Sequence, residues 1–106
     1  MKRGDLFWVN LDPTVGSEIR KQRPCVVVGA NPINKARRTV VVVPLSTVAQ
    51  PRPPLTISVQ AIGRSAVAVC DQIRAVDKSR LINRTGTLSK TDMQEIDKGL
   101  HQVLVL

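Results

Sequence analysis

Polar side chains that could do chemistry flank the apolar segments of this sequence, where strand ends are expected. Arg23 directly precedes Pro24, at the boundary between a polar segment and an apolar one. The other candidates carry carboxyl, hydroxyl, amide or guanidinium groups, and they are Glu18, Ser46, Thr47, Asp71, Gln72 and Arg74. Because β scaffolds commonly build sites from loops at strand ends, these residues predict one site assembled from several parts of the chain.

Each candidate also has a purely structural interpretation, which the pattern alone leaves open. An arginine at a strand boundary can lay its stem along the surface, a hydroxyl can cap a loop, and opposite charges can form an ion pair. These alternatives apply respectively to Arg23, to Ser46 and Thr47, and to Asp71 and Arg74 near Asp77 and Lys78.

Several kinds of chemistry are excluded by what the sequence lacks. The single histidine, His101, has no cysteine or carboxylate partner at ligand spacing, so neither a metal site nor a mechanism with two histidines is expected. There is no glycine-rich phosphate loop, and no cofactor is expected. Cys25 and Cys70 lie in or beside apolar runs and are expected to be buried, reduced thiols.

The charge of the chain is strongly positive and unevenly distributed. Sixteen Lys and Arg residues oppose eight Asp and Glu, and no acidic residue occurs from Ile19 through Cys70. Such asymmetry favours a polyanionic partner, namely nucleic acid, an anionic membrane surface or an acidic protein, although a merely soluble basic surface remains an alternative. No apolar run is long enough to span a bilayer and no signal peptide is evident, which predicts a cytoplasmic protein.

Six short apolar segments rich in β-branched residues are expected to form the scaffold that positions the candidates. The predicted strands are Leu6–Leu11, Pro24–Gly29, Thr39–Leu45, Leu55–Val59, Ala66–Ile73 and Ile82–Leu88. The valine run 40–43 is typical of a strand covered on both faces. Residues 14–22 form a polar connection expected to be a mobile gate, and the prolines in 46–54 predict an irregular loop.

The C-terminal segment has the pattern of one amphipathic helix. Ser89 can cap it, with Asp92 three residues later. The apolar positions follow at helical spacing and are Met93, Ile96, Leu100, Val103 and Leu104. A helix on a mostly antiparallel sheet or small barrel predicts an α+β, β-dominated fold, and 106 residues fit one domain over positions 1–106.

Ordered sequence blocks along nearly the whole chain carry a resemblance to a known family. The blocks are Arg3–Val9, Leu11–Pro13, Gly16–Glu18, Arg23–Val28, Val42–Ser46 and Cys70–Leu81, followed by a Leu88-Ser89 helix start. In this order and spacing they resemble the MazF/PemK family of toxin ribonucleases from bacterial toxin–antitoxin pairs. The resemblance implies an SH3-like antiparallel β-barrel of the CcdB/PemK type with a C-terminal α-helix, assembled as a homodimer.

The implied activity is metal-independent endonucleolytic cleavage of single-stranded RNA at short sequence motifs. The products would carry a 2′,3′-cyclic phosphate and a 5′-hydroxyl, and a cognate antitoxin would inhibit the toxin. An acidic, initially disordered antitoxin segment is expected to lie in the basic groove.

The resemblance also assigns residue roles. The family's catalytic arginine corresponds to Arg23, its hydroxyl residue to Ser46 with Thr47 adjacent, and its acidic loop residue to Glu18, our candidate base for the 2′-hydroxyl. The expected RNA-binding residues are Arg20, Lys21, Asp71, Gln72 and Arg74. Some PemK-like members have an arginine before the Cys-Asp-Gln triplet where this chain has Val69, which favours the arrangement centred on Arg23.

Phe7 and Trp8 are the only aromatic residues, so bases would be recognised mainly through hydrogen bonds, with Trp8 expected to lie partly in the core.

Two rival functions fit the same fold. One is a non-catalytic gyrase poison of the CcdB type, although CcdB-like chains carry a Trp-Gly-Ile C-terminus and this one ends Leu104-Val105-Leu106. The other is a plain RNA-binding or protein-interaction barrel.

Overall fold

A curled antiparallel sheet with a long C-terminal helix forms the molecule, which a computed structural model describes over Met1–Leu106. The seven strands are β1 (Asp5–Asn10), β2 (Gln22–Val27), β3 (Thr39–Ser46), β4 (Thr56–Ala61), β5 (Arg64–Val69), β6 (Arg74–Asp77) and β7 (Leu81–Thr87). The helices are α1 (Asn31–Ala36) and α2 (Lys90–Leu104), and two 3₁₀ turns span Cys70–Gln72 and Lys78–Arg80. The α+β, β-dominated prediction is confirmed.

The curl of the sheet arises at β3. The strand order is β4-β5-β3-β2-β1-β7, and β6 also pairs with β3. The first half of β3 (39–42) pairs with β6, whereas its end (45–46) pairs with β5. Because one strand edge serves two partners in succession, the sheet bends there into a half-barrel.

The valine run of β3 is covered on both faces, as predicted. Val40 and Val42 belong to a smaller core cluster. Val43 and Leu45 belong to a larger cluster that α2 helps to cover. Since successive side chains of a strand point to opposite faces, alternate residues of β3 supply the two clusters.

The C-terminal helix begins and packs as its sequence predicts, with one exception. Ser89 Oγ accepts a hydrogen bond from the Asp92 N–H at 3.1 Å, and Met93 and Ile96 are buried. Gly99 fits closely against the barrel, because a Cβ there would lie 3.1 Å from the Pro54 carbonyl oxygen. Leu104 was predicted on the apolar face but is 45% exposed, since the helix ends there and extends past the sheet.

The predicted strand Ala66–Ile73 is wrong in its second half. β5 ends at Val69, the chain turns through Cys70–Gln72, and β6 begins at Arg74. The Cys70 N–H still donates to the Leu55 carbonyl at 2.8 Å, in register with the β4–β5 ladder, and the chain then turns, with the Ile73 N–H donating to the Cys70 carbonyl at 3.3 Å. Asp71 and Gln72 in the turn are polar, but the apolar residues Cys70 and Ile73 on either side of them extend the apolar segment, so the sequence resembles one continuous strand.

Helix α1 was not predicted from the sequence. It has six residues and only one buried side chain, Asn34, whose Nδ2 donates to the Gly29 carbonyl at 2.9 Å. A helix this short with a polar anchor has no apolar periodicity to detect. The remaining strand boundaries agree with the predictions to within two residues, and residues 47–54 form the expected irregular connection.

Neither helix is both long and apolar enough to cross a lipid bilayer.

A buried carboxylate fixes the start of β1. Asp5 accepts hydrogen bonds from the Lys2 N–H at 2.9 Å and from Arg84 Nη2 at 3.3 Å. Burial opposes its ionisation, but the bonds from Lys2 and Arg84 outweigh burial, so the pKa of Asp5 lies below its ordinary value of 3.8. A carboxyl group with a lowered pKa stabilises the fold above its unfolded-state pKa and loses that contribution as pH falls through the folded value.

We predict that Asp5→Asn lowers the free energy of unfolding by about 1–2 kcal/mol at pH 7, because the charged bond to Arg84 is lost. Urea unfolding of both proteins from pH 7 to pH 3 checks this. The difference should narrow as pH falls below the ordinary carboxyl pKa of 3.8, because the unfolded wild-type chain takes up a proton at Asp5 there before the folded protein does. A difference that stays constant down to pH 3 would contradict the assignment.

Candidate active site

The pairing of β2 with β3 brings Arg23 beside Ser46. In the antiparallel register Cys25 faces Pro44, Val26 faces Val43 and Val27 faces Val42. Continuing this register by two residues sets position 23 opposite position 46. An arginine and a hydroxyl that are 23 residues apart in sequence are therefore neighbours at one end of the half-barrel.

Two cavities meet at this end of the barrel, and both are lined by Arg23, Leu45, Ser46 and Thr47. The first, of about 260 Å³, also touches Trp8; we call it the tryptophan pocket. The second, of about 320 Å³, lies under the β1–β2 loop; we call it the loop pocket. Together they form a cleft open to solvent, and the four shared residues form its central wall.

The Ser46 hydroxyl is held by the backbone that follows it. Ser46 Oγ accepts hydrogen bonds from the N–H groups of Val48 at 3.2 Å and Ala49 at 3.1 Å. The loop-cap interpretation is therefore correct for Ser46. It does not exclude chemistry, because the accepting lone pairs are engaged while the hydroxyl hydrogen remains free to donate. Thr47 is exposed beside it.

Glu18 is an exposed residue that lines the loop pocket. Its Oε1 accepts from the Val15 N–H at 2.7 Å, and its own N–H donates to the Val15 carbonyl at 3.2 Å. This closed turn holds the Glu18 side chain against its own loop, and Glu18 shares the loop pocket with Arg23 and Ser46.

Of the two basic residues predicted beside Arg23, the structure places only Arg20 in the cleft. Arg20 lines the loop pocket and donates to the Gly16 carbonyl at 3.4 Å. Lys21 is exposed and lines neither pocket; its N–H donates to Asp12 Oδ1 at 3.0 Å at the base of the loop.

The Cys-Asp-Gln segment lies behind the cleft rather than on its wall. Asp71 is exposed on the 3₁₀ turn and lines neither pocket. Gln72 and Arg74 are half-buried and hydrogen-bond to the backbone of Ile19 in the β1–β2 loop. The alternative of an ion pair between Asp71 and Arg74 is not formed.

Sequence reasoning missed two residues of the tryptophan pocket, Gln22 and Arg64. Arg64 belongs to the acid-free basic segment, which is the signal that pointed to it, whereas nothing marks Gln22. Trp8 is half-buried, as expected, and its remaining surface lines the pocket. The charged residues of the whole cleft are three arginines and one glutamate: Arg20, Arg23, Arg64 and Glu18.

No three His, Cys, Asp or Glu side chains come together in an arrangement that could hold a metal ion. Both cysteines are free thiols buried in the core. Burial raises the pKa of Cys25 to about 12 and that of Cys70 to about 11. Neither thiol is therefore a nucleophile near neutral pH, because the thiolate is the reactive form.

Comparison with known proteins gives one consistent result. A family model described as "PemK-like, MazF-like toxin of type II toxin-antitoxin system" matches residues 2–104. The endoribonuclease MazF9 of Mycobacterium tuberculosis is 32% identical over 109 residues, covering 94% of this chain and 92% of that protein.

Two solved structures share the fold. MazF from Deinococcus radiodurans superposes with a TM-score of 0.89 at 24% identity, covering 100% of this chain and 97% of that one. An endoribonuclease in complex with its cognate antitoxin from a mycobacterial species gives a TM-score of 0.83 at 22% identity, covering 100% and 96%. These structures confirm the β-dominated fold with its C-terminal helix.

We predict that neither thiol of the native protein reacts with a thiol reagent at pH 8. Both cysteines are buried, and a pKa of about 11 or 12 leaves almost no thiolate. Labelling followed by intact-mass measurement checks this, with the urea-unfolded protein, which should take up two labels, as the control. Rapid labelling of either cysteine in the folded protein would contradict the described burial.

Proposed function

The chain belongs to the PemK-like, MazF-like toxin family of type II toxin–antitoxin systems, and on that premise we propose that it is an endoribonuclease. It cleaves single-stranded RNA, such as messenger RNA, by attack of the 2′-hydroxyl, without a metal ion. The observation that carries the proposal is the meeting of Arg23, Ser46 and Thr47 on the shared wall of an open cleft.

Arg23 and Ser46 supply donors to the phosphate. When the 2′-oxygen attacks phosphorus, negative charge builds on the non-bridging oxygens. The planar guanidinium of Arg23 can donate two parallel hydrogen bonds to these oxygens, in a geometry that lysine cannot match. The hydroxyl of Ser46 adds a donor whose oxygen is already fixed by two backbone N–H groups. Such preorganised donors lower the barrier without reorganising during the reaction.

Glu18 is the candidate base. Its Oε1 is engaged by the Val15 N–H, so Oε2 is the oxygen available to take the 2′-hydroxyl proton. The bond from the 2′-oxygen to phosphorus then forms, and the bond from phosphorus to the 5′-oxygen breaks. The 5′-oxygen takes a proton from water or from the Arg23 guanidinium. The products carry a 2′,3′-cyclic phosphate and a 5′-hydroxyl.

The two pockets lie on either side of the central wall, which suits nucleotides on both sides of the scissile phosphate. The tryptophan pocket offers one aromatic face and the polar groups of Gln22 and Arg64. An unpaired base can stack on Trp8 and present its edge to those groups. The sequence motif that the enzyme cuts would be selected there and in the loop pocket.

The partners follow from the same proposal. The cleft has three arginines against one glutamate, and this charge suits an acidic segment as well as RNA. A cognate antitoxin that lays such a segment in the cleft would exclude the substrate, and one relative of this fold is an endoribonuclease in complex with its cognate antitoxin. We further propose a homodimer acting in the cytoplasm, where messenger RNA is found.

We predict that Arg23→Ala leaves the fold intact and slows RNA cleavage by at least about 10²–10³-fold, because a donor to the developing charge is lost. Arg23→Lys should recover only part of the rate, since it keeps the charge but not the planar pair of donors. The matched control is Arg37→Ala, an exposed arginine after α1 and outside both pockets. Cleavage of a long RNA by purified protein in EDTA, followed on a gel, is the measurement.

Discrete fragments in EDTA whose 5′ ends a polynucleotide kinase can phosphorylate directly would support the proposal. If EDTA abolishes cleavage, the metal-independent mechanism is wrong. Full activity of Arg23→Ala would refute the role of Arg23. DNA breaks that require gyrase, without RNA cleavage, would instead indicate the gyrase-poison alternative.

We predict a different pattern for the hydroxyl. Ser46→Ala should lower kcat by about 10²–10³-fold, because it removes both the donor and the acceptor of two backbone N–H groups. Ser46→Thr keeps the hydroxyl and should retain most of the activity. Single-turnover cleavage of a short RNA gives the rates. If Ser46→Ala cleaved RNA as fast as Ser46→Thr and the wild type, the Ser46 hydroxyl would have no role in the mechanism.

A further inference from the structure

The β1–β2 loop enters the cleft at two residues that flank a buried anchor. Glu18 and Arg20 line the loop pocket, and Ile19 lies between them. The Ile19 side chain is half-buried and packs against the smaller core cluster. The position of Ile19 therefore sets where its two charged neighbours meet a bound phosphate.

Both backbone groups of Ile19 are held by side chains that follow it by more than 50 residues. The Ile19 N–H donates to Gln72 Oε1 at 3.4 Å. The Ile19 carbonyl accepts from Arg74 Nη1 at 3.3 Å. Arg74 Nη2 donates to the same Gln72 Oε1 at 3.0 Å, and Arg74 Nε donates to the Gln72 carbonyl at 3.4 Å. We call this arrangement of Ile19, Gln72 and Arg74 the loop clamp.

The clamp is the one hydrogen-bonded attachment of residues 13–20 to the rest of the protein. The base of the loop is closed below it, where the Leu11 N–H donates to the Lys21 carbonyl at 2.9 Å. The other hydrogen bonds of 13–20 stay within the loop and join Val15 to Glu18 and Arg20 to Gly16. Arg74 lies in a strand of the sheet, since it pairs with Val42 in the β6–β3 ladder. The clamp therefore joins the loop to the sheet.

We infer that Gln72 and Arg74 are positioning residues, which hold the loop so that Glu18 and Arg20 face the scissile phosphate, and that they do not bind RNA themselves. All three guanidinium nitrogens of Arg74 are engaged as donors within the protein, and Gln72 Oε1 accepts two bonds. This inference rests on the proposed function of the cleft. It replaces the expectation from sequence that both residues contact RNA.

The clamp matters to the rate because small displacements of catalytic groups are costly. A misplacement of about 1 Å, even one caused far from the chemistry, can slow an enzyme by about 10²-fold. Without the hydrogen bonds to Gln72 and Arg74, the loop would keep its internal turn. Its position relative to Arg23 would no longer be fixed. We therefore expect loss of the clamp to lower kcat more than it lowers the affinity for RNA.

The test is a set of substitutions at Gln72 and Arg74. Gln72→Glu keeps an oxygen that accepts from Ile19 and Arg74, so it preserves the clamp. Gln72→Ala and Arg74→Ala break the clamp. Each protein is measured for amide hydrogen exchange at Ile19 without RNA, for kcat, and for RNA affinity as a function of salt.

We expect Gln72→Glu to keep the Ile19 amide as protected as in the wild type and to retain more of the kcat than Gln72→Ala does. Gln72→Ala and Arg74→Ala should exchange the Ile19 amide about tenfold faster or more, since hydrogen bonds that order the loop are lost. Their kcat should fall by about 10–10²-fold. Their RNA affinity should stay within about twofold of the wild type with the same salt slope, because Gln72 and Arg74 make no phosphate contact and Arg20, still on the loosened loop, can reach the phosphate.

Two results would overturn the inference. One is a loss of RNA affinity in Gln72→Ala that is as large as its loss of kcat. The other is a salt slope for Arg74→Ala that is smaller by about 0.7, the value of one phosphate contact on a single strand. If the wild-type protein does not cleave RNA at all, the proposed function fails instead. Ile19 exchange still decides in that case, because unchanged protection in both alanine variants would show that no clamp exists.

Discussion

The hydrogen-bond register between β2 and β3 is the constraint on which the rest of the structure depends. It aligns Cys25 with Pro44 and, by continuation, the arginine at the start of one strand with the hydroxyl at the end of the other. A slip by one residue would move every side chain of a strand to the opposite face. Here β3 supplies two core clusters at once, so a slip would unpack both of them. The packing of buried valines thus fixes the site geometry, although no valine takes part in chemistry.

Much of the fold could be predicted from the sequence because apolar runs and caps are local signals. The valine strand and the Ser89-capped helix are long and strongly patterned, and the structure has both. The errors fall where short-range hydrogen bonds, and not apolar periodicity, decide the course of the backbone. The chain leaves the ladder after Cys70, where the Ile73 N–H donates to the Cys70 carbonyl, and the amide of Asn34 holds α1 against Gly29. Neither bond leaves an apolar pattern in the sequence.

In the candidate site, too, some features could be predicted from the sequence and others could not. The approach of Arg23 and Ser46 was expected, since both lie at strand boundaries of a recognisable family pattern, and the structure puts them on one wall. The placement of Gln72 and Arg74 was not predictable, because it depends on a contact with Ile19 across 53 and 55 residues of sequence. A sequence motif identifies which side chains belong to a site. It does not show which of them face the cleft and which hydrogen-bond to the backbone around it.

The excess of arginine in the cleft has a thermodynamic consequence for the whole molecule. Like charges that fold together repel one another, so the empty cleft carries an electrostatic cost that a polyanion relieves. Any ligand that binds only the folded state adds to its stability in proportion to the logarithm of its concentration relative to Kd. A polyanion bound in the proposed cleft would therefore make the chain more resistant to heat. A tightly bound inhibitor that blocks the activity of such a protein would at the same time stabilise its fold. The inhibited protein would then persist and become active when the inhibitor is removed.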